Sequence, residues 1–343
     1  MMAASPEFRP AGAAIAAWSR RLMDVILHIG AHRTATTTFQ HFLSDLSAPL
    51  AADGIAAWGP SRTRNGLFHG IHGGRARAGH DVPAPFARAR GRIALNLARL
   101  RDRGRRALIV SDASLPGSLR DTLTRGALYP GVGARLSRVH AAFDGQIDQV
   151  VLTIRSLDLY WSSALGHAVS RGQPVPDADA LDRLVTMPRS WRDVIADVAC
   201  AMPGARIRVL PFERLGGRPD ALLSEILGRP FAPDAADRRL NATPKLPALR
   251  KRAGAGAPLP GGDDRWQPFD AAQAAALRET YRDDLFWLAA GADGLAEPMA
   301  YAPDPTPHPM PHSKAGQTPP QTDTTRGSTD DIQQRRMAPP RRE

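Results

Sequence analysis

Four short apolar runs constrain this chain most: Val25–Ile29, Ala107–Ser111, Val150–Ile154 and Ile207–Pro211. Each has the length of a buried strand, and each is separated from the next by helical spacing of apolar residues. Gly54–Trp58 is a weaker fifth strand. Between them, Thr36–Leu46 repeats Phe39, Phe42, Leu43 and Leu46 at helical intervals, and Pro85–Arg103 places Ile93, Leu97 and Leu100 on one face. Helices are also expected over Leu157–Arg171, Trp191–Ala201, Ala221–Leu227 and Ala271–Ala290. Strands alternating with helices predict an α/β fold, a mostly parallel central sheet with helices on both faces. Ligands of such sheets bind outside the carboxyl ends of the strands.

The ends of the chain read differently. Residues 1–22 have a short apolar run, Ala11–Trp18, followed by Arg20-Arg21, the reverse of a signal peptide's charge order. They are expected to be an unstructured or mis-annotated extension, with Met23 as a possible true start. From Pro303 onward there are nine prolines, no aromatic residue and one branched aliphatic, Ile332. Such a segment buries too little apolar surface to offset its ordering entropy, so 299–343 is expected to be a disordered tail. One domain, 23–298, remains. No apolar run approaches the ~18 residues of a membrane-spanning helix, and a cytoplasmic protein is expected.

The formal net charge is +11, yet this does not predict a nucleic-acid binder. The chain holds 42 Arg against 3 Lys and 28 Asp against 6 Glu, a skew that fits a GC-rich coding bias. The basic residues are scattered, and no nucleic-acid-binding motif is present. A basic cleft for a small anion remains compatible. The single cysteine, Cys200, excludes an intramolecular disulfide and a Cys-clustered zinc site, and is expected to be a small buried hydrophobe.

The first strand runs into Gly30-Ala31-His32-Arg33-Thr34-Ala35-Thr36-Thr37 and then a helix. A strand, a tight loop and a Thr-rich helix start make an anion site: backbone N–H groups point at the anion and the helix dipole favours it. A Walker A loop would need lysine at position 36, which is Thr36, so a P-loop nucleotide kinase or hydrolase, with Thr37 on magnesium and Asp112 as the acidic partner, is the alternative reading. The cation sits three positions earlier, at Arg33. The segment resembles the 5′-phosphosulfate loop of sulfotransferases, G-x-x-K-T-G-T-T, with Arg33 for the lysine and Ala35 for the second glycine. Strand 150–154 ends in Arg155, and Ser163 follows eight residues later. That pair resembles the family's 3′-phosphate site, and an Arg fork and a hydroxyl both suit a phosphate. Weaker resemblances are Pro211-Phe212-Glu213-Arg214-Leu215, Pro219–Gly228, Asn241-Ala242-Thr243 and the basic Arg250–Gly254.

The resemblance, closest to bacterial sulfotransferase-like proteins, implies a three-layer P-loop fold and 3′-phosphoadenosine 5′-phosphosulfate (PAPS) as donor, with no metal. Gly30, His32, Arg33, Thr34, Ala35, Thr36 and Thr37 would hold the phosphosulfate, and Arg155 and Ser163 the 3′-phosphate. Arg33 would stabilise charge on the bridging oxygen as the sulfuryl group leaves. An acceptor hydroxyl or amine needs a base, and the candidates are Asp112 and His69. His28 alternates with core positions and is expected to be structural. The acceptor's class, whether glycan, lipid or small molecule, is not legible; in the loops 59–90 and 112–145, Phe68 and Phe86 are read as the aromatic platforms. Ala35, and Ala113 where relatives often carry Glu after the Asp, leave open a catalytically weak donor-binding protein on this fold.

Overall fold

The computed structural model describes residues 23–71, 84–231, 240–254 and 256–299 of the 343. The expected extension over 1–22, the expected tail 299–343 beyond its first residue, Met299, and His72 within the loop 59–90 lie outside the described residues. The chain divides into two units, Met1–Pro303 and Asp304–Glu343, and everything described below belongs to the first.

In chain order the elements are β1 (Asp24–His28), α1 (Thr36–Asp45), α2 (Ser47–Ala52), β2 (Ile55–Trp58), α3 (Pro60–Arg62) running into a π-helical turn (Thr63–Leu67), α4 (Ala84–Asp102), β3 (Ala107–Ser111), α5 (Leu119–Arg125), α6 (Val132–Ala142), β4 (Gln149–Ile154), α7 (Leu157–Val169), α8 (Ala178–Val185), α9 (Trp191–Ala201), β5 (Arg206–Pro211), α10 (Phe212–Leu215), α11 (Pro219–Leu227), α12 (Leu246–Ala253) and α13 (Ala271–Ala289). All five expected strands are present, within one residue at each end. The sheet is parallel throughout, in the order β2-β3-β1-β4-β5. This α/β architecture, with helices covering both sheet faces, is the one the alternation predicts.

The period-2 alternation of each strand sorts its side chains between two cores. Val25, Leu27, Leu108, Val110, Val150, Leu152, Ile207 and Val209 face one layer, built from α4, α6, α7, α9 and α13. Ile26, Ile109, Val151 and Leu210 face the other, where α1, α2 and α11 supply Phe39, Phe42, Leu43, Leu50, Leu222, Leu223 and Ile226. Burying each such side chain is worth about 1.5–3 kcal/mol. β1 lies between β3 and β4, so the loop leaving it is flanked by Asp112, just past β3, and Arg155, just past β4.

Two of the helices with no counterpart among the expected ones start on clear caps. α5 is set by its ends: Ser118 accepts from the Asp121 amide, and Gly126 closes the helix at φ 58°. α8 starts on Asp177, which accepts from the Ala180 amide. Two expectations are corrected. Cys200 is exposed, because α9 buries Trp191, Val194, Ile195, Val198 and Ala201 and leaves position 200 on the outer face. Phe68 is no acceptor platform: it is buried edge-on against Phe143, ring centroids 5.8 Å apart. Phe86 is partly buried, with the Arg138 guanidinium 5.9 Å over its ring. No helix among the described residues is long and apolar enough to cross a membrane.

Candidate anion-binding site

The loop after β1 keeps pairing with β4 beyond the strand's end: Ile29 N–H donates to Val151 O (3.0 Å) and Ala31 N–H to Thr153 O (2.9 Å). Gly30 is required by close approach. A Cβ there would lie 2.7 Å from Thr36 Cγ2 and 2.9 Å from His28 Nε2. Arg33 (φ 69°) and Ala35 (φ 58°) both occupy the left-handed region, which costs a non-glycine residue roughly 1–2 kcal/mol. Ala35 is the N-cap of α1, and no side chain caps that helix. Thr34 is buried and donates back to Ala31 O at 2.6 Å, which closes the loop. The Thr36 and Thr37 hydroxyls make no hydrogen bond to the described residues. The loop therefore offers an uncapped helix start and two hydroxyls.

Arg33, Arg155 and Ser163 meet here from three segments. Arg33 donates from Nε to Ser163 Oγ (3.1 Å) and from Nη2 to Thr243 Oγ1 (2.8 Å) and Asn241 O (2.9 Å). Ser163 and Thr243 hydroxyls are themselves 2.8 Å apart. Arg155, buried, donates from Nη1 to Arg33 O (2.9 Å) and stacks 5.0 Å over the Phe212 ring. Its Nε is buried without a partner. Neither guanidinium forms an ion pair with a carboxylate among the described residues. Burial, with Arg155 and the exposed Arg265 nearby, lowers the Arg33 pKa to about 10. Burial also lowers that of Arg155, against the partial opposition of Glu213. Buried charge is normally paired, so two charged guanidiniums without carboxylate ion pairs among the described residues, beside an uncapped helix, mark a place for an anion.

Glu213 fixes the approach to Arg155. Its carboxylate accepts from the Ser156 amide (2.9 Å) and the Tyr281 hydroxyl (2.9 Å). The Trp191 indole donates to Arg155 O (2.8 Å). Arg250, by contrast, donates to the carbonyls of Pro260 and Gly262, and so pins a surface loop.

The expected bases fare differently. Asp112 is buried and saturated. It accepts from Thr63 Oγ1 (2.5 Å), Arg64 Nε (3.2 Å) and Nη2 (2.5 Å), and the amide (2.9 Å) and hydroxyl (2.8 Å) of Ser114. Burial pushes its carboxyl up, but the hydrogen bonds from Arg64, Thr63 and Ser114 outweigh it and hold the pKa below the usual range. Its geometry is that of a clamp holding the π-helical turn against the end of β3. His69 is exposed on a groove of about 780 Å³ shared with Arg62, Asn65, Arg92 and Asn96, and it makes no hydrogen bond to the Arg33 cluster. His28 is buried, with Nδ1 2.9 Å from Ser111 Oγ and its ring edge-on to Phe39; burial lowers its pKa to about 3. That is the structural role expected of it.

Sequence reasoning missed Tyr129, whose hydroxyl touches His32; His167; Tyr281; and Arg265. His167 had an available signal: it stands four residues after Ser163, so both lie on one face of α7, and both are half-buried. Burial, then Arg33 and Arg171, lowers its pKa, leaving the imidazole neutral at neutral pH. No group of three or more His, Cys, Asp or Glu among the described residues is placed to hold a metal ion.

No family model matches this chain, and no curated protein matches it. Among solved structures, a sulfotransferase from Alicyclobacillus acidocaldarius is similar over 63% of this chain and 86% of its own, at 16% identity and a TM-score of 0.36. At that distance the likeness carries neither residue roles nor an acceptor. The strand order and the two helical layers define the fold.

Proposed function

We propose that this chain is a sulfotransferase that uses 3′-phosphoadenosine 5′-phosphosulfate as donor. The observation that carries the reading is the meeting of Arg33 and Arg155, without carboxylate ion pairs, at the uncapped start of α1. The orphaned Arg155 Nε and the hydroxyls of Ser163, Thr36 and Thr37 suit a donor bearing two phosphate sites and a sulfate. When bound, this donor supplies an activated sulfuryl group for transfer to a hydroxyl or amine.

The chain's own residues then divide the work. Gly30 lets the loop close on itself, and the amides at the start of α1 with Thr36 and Thr37 hold the 5′-side anion. Arg155 and Ser163 take the 3′-phosphate. Arg33 stabilises the negative charge that grows on the bridging oxygen, and it gains most in the transition state. Asp112 holds Thr63 and Arg64 in place. His167, neutral and on the face of α7 that carries Ser163, accepts the acceptor's proton.

The test is transfer of radiolabelled sulfate from the donor to a broad acceptor mixture in the presence of EDTA. Labelled product supports the reading. Absence of transfer together with magnesium-dependent phosphoryl transfer from ATP would replace it with the nucleotide kinase reading.

A further inference from the structure

His32 lies inside the anion-binding loop, between Ala31 and the strained Arg33. One residue, Tyr129, touches it twice. The Tyr129 hydroxyl is 2.6 Å from the His32 amide nitrogen and 2.8 Å from His32 Nδ1. The two rings stack, 13° from parallel, with centroids 5.6 Å apart. Tyr129 itself is buried in the turn just before α6 and packs on Trp191. Ring orientation and ring face are therefore both set by a residue almost a hundred positions away.

Proton accounting favours one tautomer. The His32 amide can only donate, so the Tyr129 oxygen accepts from it. The hydroxyl keeps its own proton, because burial pushes the Tyr129 pKa up to about 12. The neighbouring Tyr160 hydroxyl also bears on the Tyr129 pKa but makes no hydrogen bond of its own, so His32 Nδ1, at 2.8 Å, is the acceptor within reach of the Tyr129 proton. His32 is neutral at physiological pH: burial first, then Arg33, Arg64 and His167, lower its pKa to about 4, against Asp112, which raises it. A neutral ring whose Nδ1 accepts must carry its proton on Nε2. Nε2 has no protein partner among the described residues.

We propose that His32 is a fixed, uncharged Nε2–H donor to the anion held by the 30–37 loop, and that Tyr129 is the residue that positions it. The assignment rests on the proposed anion-binding role of the loop. It removes His32 from the possible proton acceptors, since neither ring nitrogen keeps a free lone pair. It also explains why the loop tolerates an imidazole among guanidiniums: an uncharged donor adds a hydrogen bond without adding repulsion to Arg33 and Arg64.

The test is ¹⁵N NMR of the imidazoles in the full-length protein, followed by titration with adenosine 3′,5′-bisphosphate. The expected His32 signals show Nε2 protonated and Nδ1 unprotonated from pH 7.5 to 5.5, with an Nε2–H shift on adding the bisphosphate. His32→Ala should bind the bisphosphate about tenfold more weakly, and His32→Gln, which returns an N–H near Nε2, should recover most of that loss. Tyr129→Phe should give a mixture of tautomers; the signals of the parent protein decide the case if that variant does not fold. An Nδ1–H tautomer, a doubly protonated ring at pH 7, or unchanged binding by His32→Ala would overturn the proposal. If the parent binds no bisphosphate, the proposed function and the donor role of His32 fall together. Failure confined to His32, with the bisphosphate bound tightly, sinks this proposal alone.

Discussion

Arg33 Nε donates to the hydroxyl of Ser163 at 3.1 Å, across 130 positions of sequence. The contact joins the loop after β1 to the helix after β4, and with it the two places expected to hold opposite ends of one donor. Thr243 closes the triangle, 2.8 Å from both Arg33 Nη2 and Ser163 Oγ. A cation held by two neutral hydroxyls and the Asn241 carbonyl stays available to an anion in a way that a carboxylate-paired one does not.

Binding and chemistry should separate at Arg33. Charge on the bridging oxygen grows only as the sulfuryl group leaves, so Arg33→Ala should lower turnover by about two to three orders of magnitude. Donor affinity should fall much less. Arg33→Lys keeps the charge and should retain or raise activity. Steady-state kinetics with labelled donor make the distinction. Full turnover by Arg33→Ala would reduce the 30–37 loop to an ordinary helix start.

His167 should behave as a base whose pKa lies below that of an ordinary histidine. The acid limb of kcat/KM is then expected below pH 6.5. His167→Gln should remove that limb and cut turnover by about 10²–10³, while bisphosphate affinity stays nearly constant. An unchanged acid limb in the variant would assign the proton to another group.

Ala35 carries a stability prediction. Its left-handed backbone (φ 58°) suits glycine, so Ala35→Gly should stabilise the fold by roughly 0.5–1 kcal/mol after the added flexibility of the unfolded chain is counted. Urea unfolding measures it. A loss of stability would show that the methyl group's packing outweighs the backbone strain.

His28 sets a pH dependence. Its folded pKa is about 3, below the ordinary 6.5, so the unfolded chain binds the extra proton. The stability tied to a neutral His28 is fully present above pH 6.5 and is lost as pH falls from there toward 3, with a slope of up to about 1.4 kcal/mol per pH unit. His28→Leu should flatten the unfolding free energy against pH by up to one proton between pH 6 and 4. An equal slope in both proteins would place the titration elsewhere.

Strand positions were legible because the central strands β1, β3 and β4 are buried on both faces, which leaves short apolar runs such as Val150-Val151-Leu152. Gly30, Arg33, Arg155 and Ser163 were legible through the order of two short motifs, and the structure brings them together. What the sequence hid depends on docking. Nothing local marks Tyr129 as the partner of His32, and nothing shows that Thr63 and Arg64 fold over Asp112 and consume its lone pairs. α5 was missed because it is short and set by its cap at Ser118; α8, capped by Asp177, does carry an apolar face of Leu181, Leu184 and Val185, but over only eight residues.

The most direct measurement of the central claim is calorimetric titration of the full chain with adenosine 3′,5′-bisphosphate in EDTA, beside Arg155→Ala. The account predicts metal-independent binding by the parent and an affinity about ten- to a hundredfold weaker in the variant, the scale of losing one charge-assisted phosphate contact. Equal affinity in the two proteins, or binding that appears only for ATP with magnesium, would contradict it.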